Sequence, residues 1–169
     1  MKAKLIIAAI LILACTLTLS AQHKSDSLFK SKYANNIGIG AGFTTGFGIS
    51  YRYLPCRDGF QINFTPYLQD YGKEALISIG LTYLHKIVAT RGINLYTYFA
   101  NHYRYISLYN NNYYSGNDEP IEKWNTGIGI GFEFHSQKRV VWNIMGGYAQ
   151  YNSFEKLLFT IETALYYRL

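Results

Sequence analysis

Eight times between residue 36 and the C-terminal carboxylate, the chain alternates apolar side chains with small or polar ones at a period of two. Successive side chains of a strand point to opposite faces, so each stretch reads as a strand with one oily and one wet side. The clearest is 124–135, where Ile128, Ile130, Phe132 and Phe134 interleave with Gly127, Gly129, Gly131 and Glu133. The others are 36–43, 47–54, 60–68, 75–88, 93–106, 140–151 and 159–169. Turn formers separate them, among them Thr44-Thr45-Gly46, Pro55-Cys56-Arg57-Asp58-Gly59 and Thr90-Arg91-Gly92.

The last stretch runs to the terminus: Phe159, Ile161, Leu165, Tyr167 and Leu169 share one parity, and Thr160, Glu162, Ala164 and Arg168 the other. An exposed final strand leaves a row of unpaired backbone donors and acceptors, a liability removed when it pairs with the first strand and closes a barrel. Connections after the second, fourth and sixth strands are short, while the one long polar loop, 107–123, follows the fifth. That parity fits a membrane barrel with short turns on the side of both termini and longer loops on the other. The expected fold is therefore all-β: an eight-stranded antiparallel up-and-down transmembrane β-barrel over residues 36–169.

The non-apolar face decides which side meets lipid. A water-soluble barrel would carry Lys, Glu and Asp there, whereas the first and sixth strands put mostly glycine on it, which weakens a solvated strand without compensation. The lumen of an eight-stranded barrel is barely wide enough for side chains, so glycine belongs beside the long ones. The charges of that parity, Arg52, Arg104, Glu133, Glu162 and Arg168, are expected to pair as one ionic network in the lumen. Tyr51, Tyr53, Tyr83, Trp124, Trp142, Tyr148 and Tyr167 fall on the outward parity near strand ends, where interfacial aromatic girdles sit. A water-soluble lipocalin-like binding barrel in the periplasm is the alternative, with the oily parity turned inward.

Residues 1–21 carry Lys2 and Lys4, an apolar run from Leu5 to Ala14, and the small pair Ser20-Ala21 before polarity rises at Gln22-His23-Lys24. This is the plan of a secretory signal peptide cleaved after Ala21. A second reading takes Ile12-Leu13-Ala14-Cys15 as a lipoprotein signal with Cys15 acylated. Cleavage after Ala21 leaves 148 residues, one domain's worth, with a polar lead-in over 22–35 and a single cysteine, Cys56. Losing Lys2 and Lys4 lowers the net charge from +6 to +4, with no basic stripe to hold nucleic acid. The abundance of Tyr (17), Phe (10) and Gly (15) suits an exported barrel.

Glu162, Ala164, Tyr167 and Leu169 occupy the spacings of the C-terminal assembly signal of bacterial outer-membrane β-barrels, which they resemble, with Ala164 where Gly is usual and Leu169 where Phe is usual. Over the whole mature chain the pattern resembles small eight-stranded barrels of the OmpA and OmpX type. That resemblance implies residence in the outer membrane of a Gram-negative bacterium, among outer-membrane lipid, after insertion by the barrel assembly machinery. It also implies a narrow or blocked lumen. Because the chain stops at its last strand, no appended peptidoglycan-binding domain is expected.

No catalytic set is evident. Lipid A deacylases and palmitoyltransferases are barrels of this size, and a deacylase needs a serine activated by a histidine and oriented by an acid. His135 and Ser136 are adjacent and point to opposite faces. His102 and Glu133 share the inward parity on neighbouring strands and are placed to hydrogen-bond, but no serine joins them. His23, His85 and His135 lack metal-ligand spacing, and Gly127-x-Gly129-x-Gly131 has no helix after it to make a dinucleotide fingerprint. No cofactor, metal or enzymatic activity is expected. The leading class is a structural or surface-interaction protein, with a narrow transport pore and a lipid-modifying enzyme as alternatives. Within 107–123, Tyr109, Tyr113 and Tyr114 beside Asn110-Asn111-Asn112 are the expected contact surface for an extracellular ligand or protein.

Overall fold

The computed structural model describes residues 29–69, 74–90, 92–107, 120–135, 139–152 and 155–169. The expected signal peptide with Cys15, the first half of the expected lead-in, and Tyr109, Tyr113 and Tyr114 lie outside the described residues. Eight strands follow in order: β1 Asn35–Ala41, β2 Gly48–Tyr53, β3 Asp58–Gln69, β4 Glu74–Ala89, β5 Ile93–Ser107, β6 Ile121–His135, β7 Val140–Tyr151 and β8 Lys156–Arg168. Each pairs antiparallel with the next, and β8 pairs with β1 to close the barrel.

Alternation holds around the wall with the oily side out. Ile39, Ile49, Leu81 and Ile128 are between 55% and 64% exposed, whereas Ser50, Asn63, Ser78, Thr82 and Asn143 are fully buried in the interior. This inverts a water-soluble barrel, in which the apolar parity would form the core. Exposed aromatics gather at both ends. Tyr53 packs on Phe60 and Phe134 on Trp142 at the end that holds the termini; Tyr103 packs on Trp124 and Tyr148 on Phe159 at the other.

Three boundaries differ from those the alternation suggests. β6 begins at Ile121, so Ile121, Glu122 and Lys123 belong to the wall, where they pair with Ile106, Tyr105 and Arg104. β8 begins at Lys156, ahead of the expected 159. β1 and β2 are short, 7 and 6 residues against 12 to 16 for the others. Gly42 and Phe43 continue the sequence alternation but leave the sheet. The connection between the two strands turns into the lumen, aided by positive φ at Gly46 (80°) and Gly48 (112°), where glycine meets no steric penalty.

Candidate functional site

The interior divides into two clusters. Toward the termini, Arg52 lies fully buried on β2, its Nη1 donating to Glu133 Oε2 at 2.6 Å and its Nη2 to Gln61 Oε1 at 3.0 Å. Its guanidinium stacks 4.1 Å over the Tyr166 ring. Glu133 Oε1 also accepts from Arg168 (3.0 Å) and Asn94 (3.1 Å), and lies 2.7 Å from His135 Nε2. One carboxylate thus answers two guanidinium groups, and the Tyr96 hydroxyl donates to Asn143 across the same layer. Low local dielectric strengthens each of these contacts and makes any unpaired member costly.

Toward the other end, the inward connection forms a plug. Thr44 and Thr45 are wholly buried, and their backbone N–H groups donate to Glu162 Oε1 (3.1 Å) and Oε2 (3.0 Å). The Thr44 hydroxyl and Thr160 Oγ1 donate to the same carboxylate. The Phe43 carbonyl accepts from Asn125 Nδ2 at 2.9 Å, and the Gly46 carbonyl from Asn63 Nδ2 at 3.0 Å. Glycines opposite make the room: a Cβ at Gly80 would overlap the Thr45 carbonyl, and one at Gly127 would lie 2.6 Å from Thr44 Oγ1.

The expectation of one network among five charges is therefore corrected. Arg52, Glu133 and Arg168 come together; Glu162 sits in the plug cluster, and Arg104 makes no ion pair among the described residues. Parity put all five inward but did not fix their heights. His135 and Asn94 escaped the sequence reading as members, although both share the inward parity, His135 two residues from Glu133 on the same strand.

His102 does not meet Glu133 either, because the register sets His102 opposite Asn125 and Glu133 opposite Asn94. Eight residues on β5 separate the two positions, about 26 Å at roughly 3.3 Å per residue. Instead His102 Nδ1 faces the Phe43 carbonyl at 2.8 Å, so it carries the proton, and Nε2 is left to accept from Ser78 Oγ at 2.8 Å. This serine–histidine pair has a backbone carbonyl where a triad has its acid, and Ser78, which also accepts from the Phe47 N–H, has no exposed surface. The arrangement satisfies two buried polar groups and offers a substrate no approach.

Of the four residues that resemble an assembly signal, Glu162 and Ala164 face the lumen, while Tyr167 and Leu169 lie exposed outside. Below the barrel, residues 29–34 cross the mouth. Ser31 N–H donates to the Pro55 carbonyl, Lys86 Nζ to the Phe29 carbonyl, and Arg57 stacks on the Phe29 ring. They roof a 730 Å³ cavity lined by Lys30, Lys32, Lys86 and Arg168.

No protein-family profile and no curated protein sequence matches this chain. Among solved structures, the N-terminal β-barrel domain of Pseudomonas aeruginosa OprF superposes with a TM-score of 0.55 at 13% identity, covering 80% of this chain and 95% of that one. The de novo designed TMB2.3 aligns over 81% of this chain and 94% of its own, at 14% identity and a TM-score of 0.39. The closed ring of strands, its outward oily face and the OprF superposition together make this chain, by fold, an eight-stranded antiparallel barrel of the outer-membrane type.

Proposed function

We propose that this protein is an integral outer-membrane barrel with a structural or surface-interaction role, and neither a pore nor an enzyme. The observation that carries the reading is a lipid-compatible outer surface around a filled lumen, crossed by the Arg52–Glu133 layer and stopped by the Thr44–Thr45 plug. In a hydrocarbon environment backbone groups must be satisfied internally, which a closed barrel achieves wherever its strands are paired on both sides. Export would follow cleavage after Ala21, and insertion would use the assembly machinery reading Glu162, Ala164, Tyr167 and Leu169. With both termini periplasmic, the β5–β6 connection would carry Tyr109, Tyr113 and Tyr114 to the cell exterior as the contact surface for a ligand or protein.

The test is fractionation of expressing cells, followed by electrophoresis with and without boiling. The folded barrel is expected in the outer-membrane fraction and to migrate differently once boiled; recovery in the soluble periplasm would overturn the assignment. Purified protein in a planar bilayer is expected to give no discrete conductance steps, and steady steps would restore the pore reading. His102→Ala is expected to leave the lipid A profile unchanged in cells that still assemble the barrel.

A further inference from the structure

The short β1–β2 hairpin leaves a notch in the wall. β8 pairs with β1 only from Thr163 to Arg168, so Lys156–Glu162 has a partner on the β7 side alone. β3 pairs with β2 only as far as Phe64, so residues 65–69 have a strand partner on the β4 side alone. Between these two edges the chain that would fill the wall has turned inward as the plug.

A cavity of about 560 Å³ lies on the β8 side of that gap, lined inside by Arg104, Lys123 and Asn125, at the plug by Phe43, and at the β8 edge by Leu158, Phe159 and Ile161. The three apolar residues are 55% to 66% exposed and come from both parities of β8, so the space joins the lumen to the lipid side. Arg104 and Lys123 are directly opposed across β5 and β6, both inward. Like charges so placed repel, and neither meets a carboxylate among the described residues. Arg104 Nε is buried without a hydrogen-bond partner. The inward carboxylate of the plug, Glu162, is already held by Thr44, Thr45 and Thr160.

From this combination we infer that the notch binds an anionic phosphate-bearing lipid of the outer leaflet. Its acyl chains lie against Leu158, Phe159 and Ile161, and its headgroup passes sideways onto Arg104 and Lys123. The phosphate relieves the cation pair, and the acyl chains cover the exposed Leu158, Phe159 and Ile161 side chains. A fully hydrated anion would gain the first contact without the second, so the site selects an amphiphile. The inference rests on the membrane placement, which fractionation tests separately.

Native mass spectrometry of the folded barrel released from neutral detergent tests it, with dioleoyl phosphatidic acid, dioleoyl phosphatidylcholine and inorganic phosphate as separate probes. Phosphatidic acid is expected to be retained in one copy, at least about tenfold more tightly than the zwitterionic lipid of identical chains, the scale of one charge-assisted contact. Lys123→Glu sets an opposite charge beside Arg104, so the folded fraction is expected to survive heating as well as wild type or better while the lipid is lost. Leu158→Asn, on the apolar side, is expected to weaken retention with the cations intact. Equal retention of the two lipids would overturn the inference. So would unchanged phosphatidic acid binding in folded Lys123→Glu, or inorganic phosphate bound as tightly as the lipid.

Discussion

Replacing Glu133 by Gln preserves shape and removes the one negative charge that answers Arg52 and Arg168. The two cations are not equivalent: Arg52 retains 1% of its side-chain exposure, whereas Arg168 retains 16% and borders the mouth. Water reaches Arg168 once its partner is lost, but Arg52 stays between the Tyr96 and Tyr166 rings with neutral amide oxygens, that of Gln61 and that of the substituted side chain, in place of a carboxylate. Stranding one member of a buried pair costs about 3–5 kcal/mol. At a urea dependence of roughly 2 kcal/mol per molar, that lowers the unfolding midpoint by about 2 M. The assay is urea titration in lipid vesicles, read by loss of the heat-modifiable band. Arg168→Gln is expected to cost no more than about 1 kcal/mol, as for a partly solvated pair. Arg52→Met combined with Glu133→Gln should recover most of the loss, because a thioether suits the aromatic slot and no buried charge is stranded. If Glu133→Gln costs no more than Arg168→Gln, or the double variant is as unstable as the sum of its parts, the account of the lower layer is wrong.

Other perturbations address other parts of the barrel. Ile128→Arg, midway along β6 and 62% exposed, should cost about 2–4 kcal/mol in a bilayer, measured by the same titration; a neutral effect would mean that this face does not meet hydrocarbon. Gly80→Val drives a branched side chain into the Thr45 carbonyl, so hydrogen exchange should show the Thr44 and Thr45 amides losing protection, with a stability loss of about 1–3 kcal/mol. Ser78→Ala leaves His102 Nε2 without its donor and should cost about 1–3 kcal/mol in the same titration.

What the sequence made legible is what depends on parity, and what it hid depends on register. Strand number, closure and the inward or outward sense of Ile128, Arg52 or Glu133 follow from a two-residue period that tertiary context cannot shift without turning every oily side chain into the lumen. The height of an inward residue depends on how far each strand slides past its neighbour. Hence His102 and Glu133 read as partners but are not, and His102 finds Ser78, a residue with no local mark of its role. The plug was hidden for a related reason. Thr44-Thr45-Gly46 reads as an ordinary turn, and the residues that draw it inward, Asn63, Gly80, Asn125, Gly127 and Glu162, sit on four other strands. β6 was read short because Ile121-Glu122-Lys123 is as polar as a loop, and its pairing with an equally polar end of β5 appears only once the sheet is assembled.

Glu162 separates two roles that the sequence places on one residue. As part of the C-terminal signal it would matter while the chain is being inserted; as the plug anchor it matters in the finished barrel, where it accepts from Thr44 N–H, Thr44 Oγ1, Thr45 N–H and Thr160 Oγ1. A carboxylate offers lone pairs for all four donors, whereas an amide offers one oxygen and turns an NH₂ group toward donors. Glu162→Gln should therefore leave at least one N–H of the plug unpaired, at a cost of about 1–3 kcal/mol. That loss is local: the β1–β8 ladder below Thr163 is untouched, so the barrel stays closed while exchange at Thr44 and Thr45 rises. If anchoring is the role, the yield of heat-modifiable barrel in the outer membrane stays near wild type while amide protection falls. If signalling is the role, yield falls, and the fraction that does insert protects Thr44 and Thr45 as wild type does. Unchanged yield together with unchanged protection would refute the anchor, because four donors cannot lose a carboxylate in a sealed lumen without a measurable response.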